Sequence, residues 1–127
     1  NAVITGKMFG NAVYAANSFS KSFNYCASQR GEDVCLFLGE FALGNQLKKT
    51  QADYNLNEKN IYTGHHSCWG QGKWTPESIT EVDGIKVPNG KLVPSNVPNA
   101  SLQYDEFTVY REDQLRLKYI VRVKHLS

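Results

Sequence analysis

Residues 6–26 read GKMFGNAVYAANSFSKSFNYC. The segment predicts a short strand, a turn and a helix, and it concentrates Tyr14, Tyr25, Lys21 and three serines on that small unit. Asn17 or Ser18 supplies the N-cap of a helix over 17–29, because a short polar side chain there can take a free backbone N–H of the first turn, and Gly31 ends it. So much hydrogen-bonding and aromatic surface exceeds what a fold alone requires.

Working outward, VCLFLGEFAL (34–43) is a short apolar run of the kind that makes a strand buried on both faces. From about 48 to 98 the chain turns polar and rich in Asn, Gly, Thr and Pro, which predicts long surface loops with a short strand at IKVP. QYDEFTVY (103–110) alternates as one strand, with Phe107 and Val109 on one face and Tyr104, Glu106 and Tyr110 on the other. In LRLKYIVRVK (115–124) the odd positions Leu115, Leu117, Tyr119, Val121 and Val123 are apolar and the even ones mostly basic, predicting a half-buried strand antiparallel to 103–110 through the REDQ turn. The expected class is α+β: antiparallel strands, one helix and long surface loops, within a single domain spanning 1–127.

Composition narrows the function. At 127 residues, 41% hydrophobic, 20% charged and a formal charge of +2, the chain has the make-up of an ordinary globular domain and too little positive charge to argue for nucleic acid or an anionic membrane. No apolar run is long enough for a bilayer-spanning helix. The start NAVITGKMFG lacks a signal-peptide shape and a Met, and reads as an internal start. Cys26, Cys35 and Cys68 form no CxxC pair and are expected as free thiols of an intracellular protein. HHSC (65–68) offers at most half a metal site, since zinc needs three or four ligands and the other cysteines sit on different elements. GQGK (70–73) is too short for a phosphate loop.

Taken together and in order, GKMFGNAVYAANSFSKSFNYC, LFLGEFALGN, HHSCWGQGKWTP, GIKVPNG and SLQYDEFTVY…QLRLKYIVRVK resemble the C-terminal part of the poly(ADP-ribose) polymerase catalytic domain, closest to its DNA-damage-dependent branch. The resemblance spans nearly the whole chain. It implies the antiparallel β-core of the ADP-ribosyltransferase fold around an NAD+ cleft, with the N-terminal part of that core lying outside this sequence. It implies NAD+ as substrate, no metal, protein or ADP-ribose acceptors, no direct nucleic-acid or membrane contact by this segment, and an intracellular, nuclear setting.

The resemblance also assigns residues. Tyr25 would stack on the nicotinamide ring, Tyr14 would line the opposite wall, Ser22 would donate to the carboxamide, and Gly10 would belong to the same NAD+ site. Glu106 would be the catalytic carboxylate, Tyr14 a catalytic residue beside it as the tyrosine of the family's triad, and Lys21 would position the acceptor. The chemistry suits a carboxylate, because cleaving the nicotinamide–ribose bond builds positive charge on the sugar and an anion beside it lowers the barrier. Taken singly, each of these residues reads as an ordinary core tyrosine, helix serine or strand carboxylate.

Three departures stand beside the matches. Ala12-Val13-Tyr14 occupies the place of Gly-Ile-Tyr, Asn11 replaces a usual lysine, and the His-Gly-Ser segment that grips the adenosine ribose and the carboxamide is absent, since His65, His66 and His125 lie in other contexts. The expectation is therefore an NAD-dependent ADP-ribosyltransferase, making poly(ADP-ribose), that needs a companion segment carrying His-Gly-Ser. The alternatives are a non-catalytic binding module of the same fold and an NAD-glycohydrolase.

Overall fold

The computed structural model describes residues 8–24 and 29–126, which are mostly β-strand with short helices. In chain order the elements are β1 (Val13–Ala15), α1 (Phe19–Asn24), β2 (Asp33–Phe41), β3 (Gln46–Lys49), α2 (Glu58–Ile61), β4 (Ser67–Gly70), β5 (Gly72–Val82), β6 (Ile85–Pro94), β7 (Leu102–Tyr104), β8 (Glu106–Val109) and β9 (Leu115–Lys124). They form three sheets: β1-β8-β4-β3, β6-β5-β7, and the two-stranded ribbon β2-β9. All pairs are antiparallel except β3 with β4 and β5 with β7. No helix among the described residues is long and apolar enough to cross a membrane.

The core lies against one face of the four-stranded sheet. Thr108 stands opposite Tyr14 on one side and Cys68 on the other, and Cys68 stands opposite Leu47, so these side chains share a face. Phe9, Leu56, Ile61, Cys68 and Tyr110 form the buried cluster, with Met8, Ala12, Tyr14, Leu47, Tyr62 and Leu102 packed around it. Gly10 makes the approach possible. Its φ is +79°, and a Cβ there would lie 1.8 Å from the Leu56 carbonyl oxygen, so the turn before β1 closes only on glycine.

The stretch 48–98 holds far more structure than long loops with a short strand at IKVP. Helix α2 brings Ile61 into the core and is capped from both sides: the Asn57 side chain accepts from the Lys59 and Asn60 N–H groups, and Asn60 Oδ1 accepts from Asn57 N–H. Strands β5 and β6 form a long hairpin closed by Asp83-Gly84, both at positive φ as a two-residue type I′ turn demands. The Asp-Gly pair between the β-branched stretches SITEV (78–82) and IKV (85–87) was the missed signal. The expected single helix is thus accompanied by a second.

Two strand expectations are corrected. Residues 103–110 do not form one strand, because Asp105 breaks it: β7 joins β5 in one sheet while β8 joins β1 and β4 in another. Tyr104 consequently sits in a different sheet from Glu106. Strand β9 pairs with β2 rather than with β8, whose two edges are already taken by β1 and β4; a 3-10 turn at Glu112–Gln114 carries the chain from one sheet to the other.

Strand β2 is also not buried on both faces. Phe37 and Leu38 point to opposite sides and are 63% and 54% exposed, and Leu117, Tyr119 and Ile120 on β9 are open as well. A two-stranded ribbon has two open faces and two open edges, and apolar character alone cannot bury it without a second layer. Helix α1 reaches one end, where Phe23 meets the His125 ring edge-on at 5.1 Å.

Candidate active site

Helix α1 and strand β8, distant in sequence, meet at Lys21 and Glu106. Ser18 Oγ accepts from the Lys21 N–H at 3.4 Å, so Ser18 is the residue that caps the first turn, while the Asn17 side chain turns away to Asp105. Three residues after that cap, Lys21 faces inward. Its Nζ lies 3.4 Å from Glu106 Oε1 and donates to the Tyr104 carbonyl oxygen at 3.4 Å.

Both charged groups are buried, with Lys21 9% and Glu106 7% exposed. A buried ion is tolerable only when paired and hydrogen-bonded. Burial pushes the Lys21 ammonium below the usual lysine range, and Glu106, by charge and by hydrogen bond, and Asp105 pull it back up. Glu106 does not stand free: β8 is a central strand with both faces largely covered, and the carboxylate is engaged with Lys21.

Tyr14 lies on the same face of the sheet as Glu106, one diagonal step away, since Tyr14 is opposite Thr108. Its hydroxyl donates to the Gly10 carbonyl oxygen at 2.7 Å and accepts the Phe9 N–H at 3.0 Å. That bond ties the tyrosine to the Gly10 turn, so Tyr14, Gly10, Glu106 and Lys21 belong to one contiguous region around β1 and β8. Ser22 is half-buried on α1 next to Lys21. Tyr25 and Cys26 lie outside the described residues.

Sequence reasoning passed over Asp105. It is 1% exposed and accepts from Gly72 N–H at 2.8 Å, Thr75 Oγ1–H at 2.7 Å and Asn17 Nδ2–H at 3.0 Å. Its signal was a carboxylate immediately before Glu106 in a segment otherwise read as alternating. Other polar groups are occupied structurally: His66 Nδ1 accepts the Asn45 N–H, and Cys35 and Cys68 are free thiols, one exposed and one buried. Two surface clefts lie beside rather than on the pair. One of about 410 Å³ runs between the start of α1 and the β5–β6 hairpin, and one of about 340 Å³ lies among Tyr62, His66, Arg111 and Gln114.

Chemically, the arrangement holds an ammonium against a carboxylate in a water-poor setting, beside a tyrosine fixed by its own hydroxyl. Such a carboxylate can stabilise positive charge that develops next to it.

Comparison with known proteins follows the same outline. The family description "Poly(ADP-ribose) polymerase catalytic domain" matches residues 1–125. The chain is 41% identical over 127 residues to poly(ADP-ribose) polymerase 2 of Arabidopsis thaliana, covering 97% of this chain and 20% of that protein. It is 43% identical over 126 residues to poly(ADP-ribose) polymerase 2-A of Oryza sativa subsp. japonica, covering 96% and 19%. Against poly(ADP-ribose) polymerase 1 of Xenopus laevis the identity is 39% over 126 residues, covering 97% and 12%. The chain thus spans a fifth or less of the length of these relatives. With the family description matched from one end to almost the other, and the mostly β architecture in agreement, the chain belongs to the poly(ADP-ribose) polymerase catalytic domain family.

Proposed function

We propose that this chain forms the C-terminal portion of an NAD-dependent ADP-ribosyltransferase domain, which transfers ADP-ribose from NAD+ to protein or ADP-ribose acceptors, releases nicotinamide and builds poly(ADP-ribose), in an intracellular and nuclear setting. The observation that supports this reading most is the buried Lys21–Glu106 pair one diagonal from Tyr14, formed by the residues that the family resemblance assigns to catalysis. In this reading NAD+ is the substrate. Tyr14, Gly10, Ser22 and Tyr25 contribute to its nicotinamide end, and a companion segment carrying His-Gly-Ser completes the site.

Glu106 stabilises the charge that grows on the ribose as the nicotinamide bond lengthens, and it aligns the acceptor hydroxyl for attack on the anomeric carbon. Lys21 holds the Glu106 carboxylate in place through Nζ, 3.4 Å from Oε1. Ser22, on the same short helix, is placed by the same packing. The acceptor's proton passes by way of the Glu106 carboxylate to water as the new C–O bond forms and the C–N bond breaks, and nicotinamide departs as a neutral base, so no external oxidant or reductant enters.

The test supplies this chain together with a His-Gly-Ser companion segment, and measures nicotinamide release and the length of the ADP-ribose product. Glu106→Gln removes the charge and keeps the shape. It is expected to cut chain extension far more than NAD+ binding. Release of free ADP-ribose alone would favour a glycohydrolase, and absence of any turnover by the unsubstituted pair would favour a binding module.

A further inference from the structure

We infer that Asp105 is a positioning residue for this site, the point at which the helix bearing Lys21 and Ser22, the strand bearing Glu106 and the neighbouring β5 sheet are locked together; the inference rests on the ADP-ribosyltransferase reading above.

Three observations carry it. Asp105 occupies the single-residue gap between β7 and β8, where the chain leaves the β6-β5-β7 sheet and enters the β1-β8-β4-β3 sheet. A strand changing sheets has no ladder to hold its direction at that point, so a side chain must do so. The Asp105 carboxylate is almost wholly buried and accepts three hydrogen bonds from two segments: Oδ1 takes the Gly72 N–H at the start of β5, and Oδ2 takes the Thr75 hydroxyl of the same strand and the Asn17 amide. Charge-assisted bonds of this kind are the strong ones, and losing the acceptor would orphan three donors together.

The third observation is where these bonds lead. Asn17 lies two residues before α1, so Asp105 fixes the entry of the helix that carries Lys21 and Ser22. Its chain neighbours hold the other end of Lys21: the Tyr104 carbonyl and the Glu106 carboxylate both contact Nζ. Residues 104–106 thus form a saddle in which the flanking residues grip Lys21 and the middle one anchors the saddle to the rest of the fold. Gly72 is part of the same design, since a Cβ there would fall 2.3 Å from the Tyr104 carbonyl carbon.

The variants follow from the bonds. Asp105→Ala removes the acceptor for all three donors. Asp105→Asn keeps the shape and can still accept from Gly72, but its amide meets the Asn17 amide donor to donor. Rotation of Asn17 relieves that conflict by presenting Oδ1, a buried atom with no hydrogen-bond partner among the described residues. The conservative variant should therefore rescue much of what alanine loses.

The experiment uses the polypeptide carrying this chain with its His-Gly-Ser segment, at a temperature well below each variant's Tm. Asp105→Ala is expected to lower kcat about 10- to 100-fold per folded molecule, the scale of a small misplacement of reacting groups. Asp105→Asn should recover at least half of that loss on a logarithmic scale. Asn57→Ala, which weakens the cap of α2 away from the site, serves as the control for plain destabilisation and should leave kcat unchanged. An activity-independent readout is the NMR signal of isotopically methylated Lys21, which should move in Asp105→Ala and not in Asn57→Ala. Wild-type kcat in Asp105→Ala, or an unmoved Lys21 signal, overturns the inference. If Asp105→Ala does not fold, Asp105→Asn decides by the same signal. A moved Lys21 signal in a protein that never releases nicotinamide would sink the transferase reading while leaving the positional role of Asp105 intact.

Discussion

At the scale of single residues, the site depends on groups that cannot be exchanged for near neighbours. Gly10 combines a positive φ with backbone packed against Leu56, so Gly10→Ala should cost more than about 2 kcal/mol of stability, measured by denaturant unfolding. Tyr14→Phe removes the hydroxyl that bridges the Gly10 carbonyl and the Phe9 N–H, and should cost about 1 kcal/mol while leaving the ring in place. Removing Lys21 is more serious than removing the pair, because Lys21→Met strands a buried Glu106; Lys21→Met with Glu106→Gln should be more stable than Lys21→Met alone. Cys68 sets a pH dependence. Burial pushes its thiol up to about 12 from a reference value of 9.0, so the unfolded chain loses that proton first as pH rises. Its stabilising contribution is complete below about pH 9 and is lost progressively toward pH 12. Burial raises Tyr110 as well, with the same sign, whereas the lowered Lys21 value acts oppositely and favours the fold as pH rises toward 10.5. Denaturant midpoints across the alkaline range should therefore fall, and Cys68→Ser should flatten the slope.

At the scale of elements, the short pieces stand on local devices. Helix α2 is only one turn long, so its stability comes from the Asn57–Asn60 caps and from burying Ile61. Asn57→Ala should lower stability by about 1 kcal/mol. The β5–β6 hairpin depends on Asp83-Gly84 in the same way. Its outer half exposes Ile79, Val82 and Val87, so the register there is held by the turn more than by a covered face. Gly84→Val, which places a β-branched residue at φ +80°, should loosen the tip and speed amide exchange from 78 to 89 without affecting the core cluster.

At the scale of the whole molecule, the β2-β9 ribbon dominates behaviour. Phe37, Leu38, Leu117, Tyr119 and Ile120 form apolar surface on both of its faces, and its outer edges pair with no further strand among the described residues. Such surface invites association. Expressed by itself, this chain should aggregate or self-pair and should bind NAD+ poorly. Co-expression with a His-Gly-Ser companion segment should give a soluble complex by size exclusion. A monodisperse, cooperatively unfolding monomer formed by the chain alone would contradict this expectation.

The residues alone determined the mostly β character, the capped helix after residue 17, the apolar stripe of 115–124 and, through the ordered blocks, the family and its candidate tyrosines, serine, lysine and glutamate. These are legible because side-chain periodicity, capping and motif order are local properties of the chain. Tertiary structure decided which strands became neighbours: β8 was already flanked by β1 and β4, so β9 went to β2. It decided that the apolar run of β2 stays open, because burial depends on what lies across from a strand and not on the strand's own composition. It also converted Asp105 from one more residue of an alternating strand into the anchor between two sheets, since donors from β5 and from Asn17, both distant in the chain, converge on it only after folding.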